Sequence, residues 1–599
     1  MTADNWLVLG ILAGALLLFL SERLRVDVVS LLTMAALGLS GLLTPQETFS
    51  GFSNPAVITV AAIFVVSGGI VRSGLADRVA RAMTRLAGDS EIRLLLLTML
   101  AAGGMSAFMN NVGAVAILLP AVMRVASQAE VSPSRLLIPL AWASLLGGNM
   151  TLIGSPPNIL ANSILEDYAG VAPLGFFDFL PMGAIVLGTA ILYMLLVGRR
   201  ILPAQKGRGA LSAVYHLDDF LAELRITPES PLVGKLVVES GLGRRYDVQI
   251  LHIYAADGHT LFASPGRRLF AGDTLLVQGA PYELTRLARE ARLTMLTRPP
   301  VDDLEKTRAR RGGLGVAEVL LSPKSTLQGK TLREVDFRTR YGLTVMGIRR
   351  EGDLLVHNLA EEPLRFGDAL LVEGLDSRLR ALRQDRDLLL LDELNKDAPR
   401  DSRKAPLVLA IVAFILLSAV TEWLHIAVAM TAGALAMVLS GVLDMDEAIA
   451  SLDWKSIFLV GGMLPMGIAM QKTGTASLLA QQVTALMGGW GPMAVVMGLY
   501  ALSVVLTTGM SNAAVLVLMA PIALDAARSL GASPYPFIVA IVLAVSSAFM
   551  LPIGHQSNVI VMGPGEYRFS DYFRAGWGLS LLLMLVVALT LPLVWPLFP

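Results

Sequence analysis

Cysteine is absent from the chain, which excludes disulfides, thiolate metal sites and thiol catalysis. Net charge is absent as well. The 48 Lys and Arg balance 48 Asp and Glu, so no global field draws the protein to nucleic acid. Charged residues are scarce at 16%, and residues 201–405 hold 61 of the 96. Elsewhere apolar residues dominate: 54% of the 599 residues are hydrophobic and the mean hydropathy is +0.63. Ordinary soluble chains are roughly 45–50% apolar. This pattern predicts a polytopic α-helical membrane protein, with a charged soluble insert between two membrane halves.

Apolar runs predict spanning helices near 6–21, 27–43, 55–72, 136–153 and 178–198, and again near 406–422, 425–443, 455–470, 535–552 and 576–598. Each run is read as long enough to cross roughly 30 Å of hydrocarbon. The first run has no basic residue before it and reads as a retained helix, not a cleaved leader. Residues 94–124 and 493–524 are also apolar, but Gly, Asn, Ser and Thr interrupt their centres. They read as re-entrant hairpins, tolerated at membrane depth only when buried in protein or lining a cavity. Basic residues follow the first, third and fifth runs: Arg23 and Arg25, then Arg72, Arg78, Arg81, Arg85 and Arg93, then Arg199 and Arg200. The positive-inside rule makes those ends cytoplasmic. The segment Thr44 to Asn54 has no Lys or Arg and is placed outside. Five crossings per half is odd, so the second half enters inverted. Both termini then lie outside a cell inner (plasma) membrane and the insert lies in the cytoplasm. The stretch 72–93 reads as an amphipathic surface helix.

One pattern is written twice. MNNVGAVAILLPAV and TLIGSPPN in residues 1–200 are matched by MSNAAVLVLMAPIA and LPIGHQSN in residues 405–599. Asn111 pairs with Asn512, Pro120 with Pro521, Pro133 with Pro534 and Asn158 with Asn558. Polar and helix-breaking residues at matching places of two membrane halves point to a transporter's binding site.

The insert is a second repeat, with an offset of 95: Gly234 matches Gly329, Tyr246 matches Tyr341, and GDTLLV at 272 matches GDALLV at 367. Short alternating runs such as VQILHIY and LTVMGIR read as strands. Two α+β modules are expected, at 210–295 and 305–395. A Gly-x-Gly-x-x-Gly fingerprint after a strand is absent, so no dinucleotide site is supported. From the Leu-x-Gly-Lys start to the late Gly-Asp-x-Leu-Leu-Val, each module resembles the TrkA-C-like (RCK C-terminal) module of potassium-conductance regulators. Its ligand, whether a small molecule or a nucleotide, stays open.

Residues 94–123, 136–165, 493–524 and 535–565 of the hairpins and broken helices carry no Lys, Arg, Asp or Glu, and His555 is the one titratable side chain there besides tyrosine. Their polar groups are Ser106, Asn110, Asn111, Asn149, Thr151 and Ser155 in one half, and Thr507, Thr508, Ser511, Asn512, His555, Gln556, Ser557 and Asn558 in the other. Neutral oxygens and carbonyls at helix breaks suit Na⁺. Helix N-termini suit an anion. A dianion in a site without fixed cations needs bound Na⁺ for charge balance, so the two are expected to bind cooperatively. Two Na⁺ per dianion would be electroneutral, and each further Na⁺ would add roughly 2.3 kcal/mol of drive per 100 mV.

The Asn-bearing hairpin tips, the Gly-Ser-Pro-Pro-Asn break and their inverted duplication resemble the divalent anion/sodium symporter (citrate/sulfate transporter-like) family. The resemblance implies an elevator mechanism, a scaffold forming a homodimer, and two sodium sites. The first would use Ser106, Asn110, Asn111 and the Gly154 carbonyl; the second Thr507, Ser511, Asn512 and the Gly554 carbonyl. Substrate would lie between Asn111 and Asn512, beside Val112, Ala513, Ser155, Pro156 and the segment His555, Gln556 and Ser557. Val112 and Ala513 stand where the family's dicarboxylate carriers have threonine. His555-Gln556-Ser557 replaces the second Pro-Pro. The chain is closer in this to the family branch with TrkA-C-like inserts, whose known members include sulfate transporters.

The expected function is sodium-coupled symport of a small divalent anion, sulfate or a related oxyanion. A di- or tricarboxylate carrier and an anion channel gated by the modules are the alternatives. An enzyme is not expected, since no nucleophile–base pair or shared carboxylate pair is visible. Nor is a transition-metal site. Asn-rich tips also serve as helix–helix glue, and His555 reads equally as a satisfied core histidine. Glu422 and His425 read as solvated loop residues.

Overall fold

The computed structural model describes residues 2–21, 24–74, 86, 90–129, 131–203, 221–246, 248–255, 260–262, 266–279, 281–296, 314–321, 325–350, 353–355, 359–365, 367–382, 385, 387–390, 404–421 and 423–598. Most of the expected surface helix 72–93, with Arg78, Arg81 and Arg85, lies outside them, as do Arg23, Glu422 and the ends of the expected modules (210–220, 305–313, 391–395). The chain forms two units, Met1–Lys206 with Asp397–Pro599, and Gly207–Lys396.

The first unit repeats one helix order. Its first half comprises α1 (Ala3–Ser21), α2 (Val26–Leu39), α3 (Pro45–Ser53), α4 (Pro55–Arg72), α5 (Glu91–Ser106), α6 (Asn111–Gln128), α7 (Leu137–Gly147), α8 (Pro156–Ile164) and α9 (Leu180–Tyr193). Its second half comprises α10 (Ala405–Val420), α11 (Ile426–Leu439), α12 (Met445–Ser451), α13 (Trp454–Lys472), α14 (Thr475–Met487), α15 (Pro492–Thr507), α16 (Asn512–Ser529), α17 (Pro534–Val545), α18 (Gln556–Met562) and α19 (Phe569–Val594). Packing is reciprocal. α2 lies against α13 and α4 against α11; α6 packs on α18 and α8 on α16.

Several expected spans stop short, for identifiable reasons. α2 and α11 have 14 residues each, about 21 Å of helix. Both end before a glycine in the left-handed region, Gly41 at φ +75° and Gly441 at φ +67°. The expected span 136–153 ends at Gly147 and 535–552 ends at Val545, where the chain breaks before α8 and α18. Among the described residues, four helical runs are long and apolar enough to cross a membrane by length and composition: Pro45–Arg72, Leu180–Ile201, Asn512–Ser529 and Phe569–Val594. The first joins α4 to α3, which was not foreseen. Yet α3 starts with a capping box: Thr44 N donates to Glu47 Oε2 at 2.7 Å and Glu47 N to Thr44 Oγ1 at 3.3 Å. α12 repeats this with Asp444 and Glu447. Such boxes satisfy free amides at helix starts. Two ion pairs repeat as well, Arg72 with Glu447 at 3.0 Å and Lys472 with Glu47 at 2.8 Å. His425 is exposed and caps α11, its Nδ1 accepting from Ala427 N at 3.2 Å.

The second unit contains two antiparallel five-stranded sheets. β1 (Leu221–Ile226), β2 (Gln249–Tyr254), β3 (Thr260–Phe262), β4 (Thr274–Gln278) and β5 (Leu293–Met295) are ordered β3-β2-β4-β1-β5. β6 (Leu314–Leu321), β7 (Leu343–Arg350), β8 (Asp353–Leu355), β9 (Ala369–Leu375) and β10 (Leu388–Leu390) follow the same order, β8-β7-β9-β6-β10. The register slips at the same place in both sheets, between Ile250 and His252 and between Val345 and Gly347. Each sheet has its own apolar core, centred on Leu224, Ile253 and Leu275 in one and on Val319, Ile348 and Leu370 in the other. Gly272 and Gly367, both at positive φ, precede aspartates whose carboxylates tie back the turn. Asp368 is fully buried and pairs with Arg350 at 2.8 Å, and that bond raises the Arg350 pKa.

Candidate functional site

Each hairpin closes on a buried hydroxyl–amide pair. Ser106, the last residue of α5, donates its Oγ to Asn111 Oδ1 at 2.5 Å. Thr507, the last residue of α15, donates Oγ1 to Asn512 Oδ1 at 2.9 Å and to the Val545 carbonyl at 3.1 Å. Asn111 and Asn512 begin the second helix of each hairpin, so each amide oxygen sits beside a helix N-terminus. Asn110 and Ser511 turn inward to their own backbones. Asn110 Oδ1 accepts from Val112 N at 3.0 Å and Ser511 Oγ from Ala514 N at 3.4 Å.

The helix breaks meet these tips. A Cβ added to Gly148 would lie 2.7 Å from Asn111 Oδ1 and 3.2 Å from the Gly154 carbonyl. Gly148 thus lies against both oxygens, with Ser155 also adjoining. In the second half a Cβ on Gly554 would lie 3.4 Å from the Thr507 carbonyl. The structure therefore brings Ser106, Asn111 and Gly154 into one oxygen-lined corner. It groups Thr507, Asn512 and Gly554 into another.

Asn158 and Asn558 hold the breaks in shape. Asn158 Nδ2 donates to the carbonyls of Gly148 (2.9 Å) and Thr151 (2.7 Å); Asn558 Nδ2 donates to the Ala548 carbonyl at 2.7 Å. Both side chains are fully buried, and the Oδ1 of each has no donor. A buried acceptor without a partner is costly. Orphan amide oxygens at the same place of both halves fit a site for a hard cation. Thr151 hydroxyl bridges the break to the Ala107 carbonyl of the tip. The duplication pairs Asn158 with Asn558, and of the two only Asn558 stands among the polar groups expected at the site.

The expected substrate residues line the same region unevenly. Ser155 is buried, Val112 and Pro156 are half-buried, Ala513 is buried and Gln556 is exposed. His555 caps α18: its Nδ1 accepts from Ser557 N at 3.1 Å. In the neutral imidazole this leaves the proton on Nε2 as a donor. Ser557 is fully buried and its Oγ has no partner. The halves join at Asn149, whose Oδ1 accepts from Ser546 Oγ at 2.8 Å. Neither residue has a polar counterpart in the repeat, so the duplication could not reveal their pairing. Among the described residues no group of three His, Asp or Glu stands close enough to hold a metal ion.

The chain is similar to known transporters. The citrate transporter family model (CitMHS) matches residues 16–534. An uncharacterized transporter of Synechocystis sp. is 36% identical over 603 residues, covering 99% of this chain and 97% of that one. The uncharacterized transporter YfbS of Escherichia coli K12 is 37% identical over 610 residues, covering 98% and 99%. A probable sodium/sulfate cotransporter of Chlamydomonas reinhardtii is 26% identical over 383 residues, covering 62% of this chain and 42% of that one. The chain belongs to the citrate transporter family, and is accordingly a multi-pass membrane transporter and not an enzyme.

Proposed function

We propose that the protein is a sodium-coupled symporter of a small divalent oxyanion, sulfate in the first instance. The observation that carries this reading is the pair of buried hydroxyl–amide corners, Ser106–Asn111 and Thr507–Asn512. Around them, residues 94–123, 136–165, 493–524 and 535–565 contain no Lys, Arg, Asp or Glu. Without a fixed cation nearby, a dianion needs Na⁺ as its counter-charge. Loss of the tip threonines at Val112 and Ala513 favours a compact tetrahedral oxyanion over a dicarboxylate, and the likeness to a probable sodium/sulfate cotransporter supports this.

In this reading the reciprocal packing of the two halves is an inverted repeat of five crossings and one re-entrant hairpin each. The hairpins and broken helices form the moving part of an elevator. The scaffold pairs with a second copy of the chain in a cell inner membrane. The 207–396 unit is a cytoplasmic regulatory element of two TrkA-C-like modules, with both termini on the opposite side.

Purified protein in proteoliposomes should take up radiolabelled sulfate when a Na⁺ gradient is imposed, with saturation and sigmoidal dependence on Na⁺. Uptake that ignores the Na⁺ gradient would overturn the reading, as would citrate or succinate transport with sulfate left behind.

His555 supplies a second test. Its Nε2–H is the donor left after capping, so His555→Ala should weaken apparent sulfate affinity roughly tenfold. His555→Gln, which keeps a donor, should recover part of it. An unchanged affinity for the alanine variant from pH 6 to 8 removes His555 from the anion site.

A further inference from the structure

Asn149 occupies the break between α7 and α8 and is fully buried. Its Oδ1 is engaged by Ser546, a residue of the other half, at 2.8 Å. That bond turns the amide so that Nδ2 points away from Ser546, and Nδ2 has no acceptor. Two N–H groups are thus left bare at the junction of the two broken helices. Such a donor costs stability wherever it is not used.

The residue before it adjoins the site. Gly148, one residue earlier, abuts Asn111 Oδ1, the Gly154 carbonyl and Ser155. Those groups form the first corner of the site. The repeat places Phe549 where the first half has Asn149, at the same offset of 400 that relates Gly154 to Gly554 and Asn158 to Asn558. The Phe549 ring packs on Trp142 with centroids 5.1 Å apart and offers no donor. His555 likewise stands where the first half has Ser155. One half therefore contributes an amide donor where the other has a phenyl ring, and the other an imidazole donor where the first has a serine hydroxyl.

We propose that Asn149 is an anion-recognition residue, its Nδ2 donating to an oxygen of a bound tetrahedral oxyanion of the sulfate class, with Ser546 fixing the amide's orientation. This rests on the symport reading above and deepens it. Recognition is then asymmetric, built from departures from the repeat, while the cation corners keep the repeat.

Two variants of the full-length protein test it by thermal-shift titration, with sulfate at saturating Na⁺ and with Na⁺ alone. Asn149→Asp keeps an oxygen for Ser546 and replaces the outward NH₂ by a second oxygen. The double variant Asn149→Leu with Ser546→Ala removes both partners and leaves no bare hydroxyl. Both should retain the Na⁺-only shift within about twofold in midpoint. Sulfate affinity should fall roughly 10- to 100-fold in the double variant and further in Asn149→Asp, where oxygen faces oxygen. Sulfate affinity within twofold of the parent in either variant overturns the proposal, as does tighter Na⁺ binding by Asn149→Asp with sulfate unaffected. If the parent protein itself shows no Na⁺-dependent sulfate shift, the symport reading fails first and this inference falls with it.

Discussion

Asn512→Ala is expected to cut Na⁺-driven sulfate uptake by roughly 100-fold, and Asn111→Ala by a similar factor. Each amide oxygen is the acceptor of a buried hydroxyl, Thr507 in one hairpin and Ser106 in the other. Removing it deletes one oxygen from the corner; it takes the acceptor from the Ser106 hydroxyl, while the Thr507 hydroxyl keeps the Val545 carbonyl. Losing a buried hydrogen-bond partner costs about 1–3 kcal/mol, and a charged ligand raises that figure. Because the anion relies on bound Na⁺ for charge balance, a weakened cation corner also weakens the anion site. The Na⁺ concentration for half-maximal uptake should therefore rise together with that for sulfate. A variant whose Na⁺ half-saturation matches the parent, with only sulfate weakened, would show that the corner holds no cation. Thr507→Val is the milder companion: it keeps the shape, removes the hydroxyl and leaves Asn512 in place.

The parts of this site that could be read from the chain are those that the two halves share. Asn111 and Asn512, or Gly154 and Gly554, are visible because each is echoed about 400 residues away inside an apolar stretch. The hydroxyls Ser106 and Thr507 follow from their place five residues before the asparagines. The same logic fails for Asn149 and Ser546. Their hydrogen bond joins the first half to the second, and neither position is polar in its own counterpart. Only the packing of one break on the other brings them together. Helix lengths were misjudged for a local reason. Apolar character continues past Leu39 and Leu439, so hydropathy alone extends the helix. Gly41 and Gly441 in the left-handed region stop it first. The short helices α3 and α12 were hidden inside apparent loops, although their Thr-x-x-Glu and Asp-x-x-Glu starts were legible as caps. In the insert, alternation and glycine spacing were enough to place β2 and β7, but not the register slip that sets their core residues three apart, at Ile250 and Ile253 and at Val345 and Ile348.

The close approach of backbones beneath the first corner leads to the other large expected effect, in Gly147→Ala. A Cβ on Gly147 would lie 2.3 Å from both the Cα and the carbonyl oxygen of Gly103, in the last turn of α5. Both atoms are backbone, so no side chain can swing aside, and α5 must move away from α7. Overpacking of this kind costs about 1–3 kcal/mol and occasionally more, and rigid backbone on both sides puts it at the upper end. Small residues at such crossings are what let membrane helices approach closely. The displacement would not stay local, because Gly148 follows directly and adjoins Asn111 Oδ1 and the Gly154 carbonyl. Gly147→Ala should therefore lower the melting temperature by several degrees and also weaken the Na⁺-dependent shift. Gly104→Ala is the matched control: it neighbours Gly103 on α5, yet its added Cβ meets nothing within 4 Å. It should melt at or slightly above the parent temperature, since Ala is favoured over Gly in a helix by about 0.5–1 kcal/mol. Equal melting of the two variants would mean that α5 and α7 are free to slide apart. The hairpin tip and the break would then not be held as one block, and the geometry that joins Asn111 to Gly154 would lose its structural support.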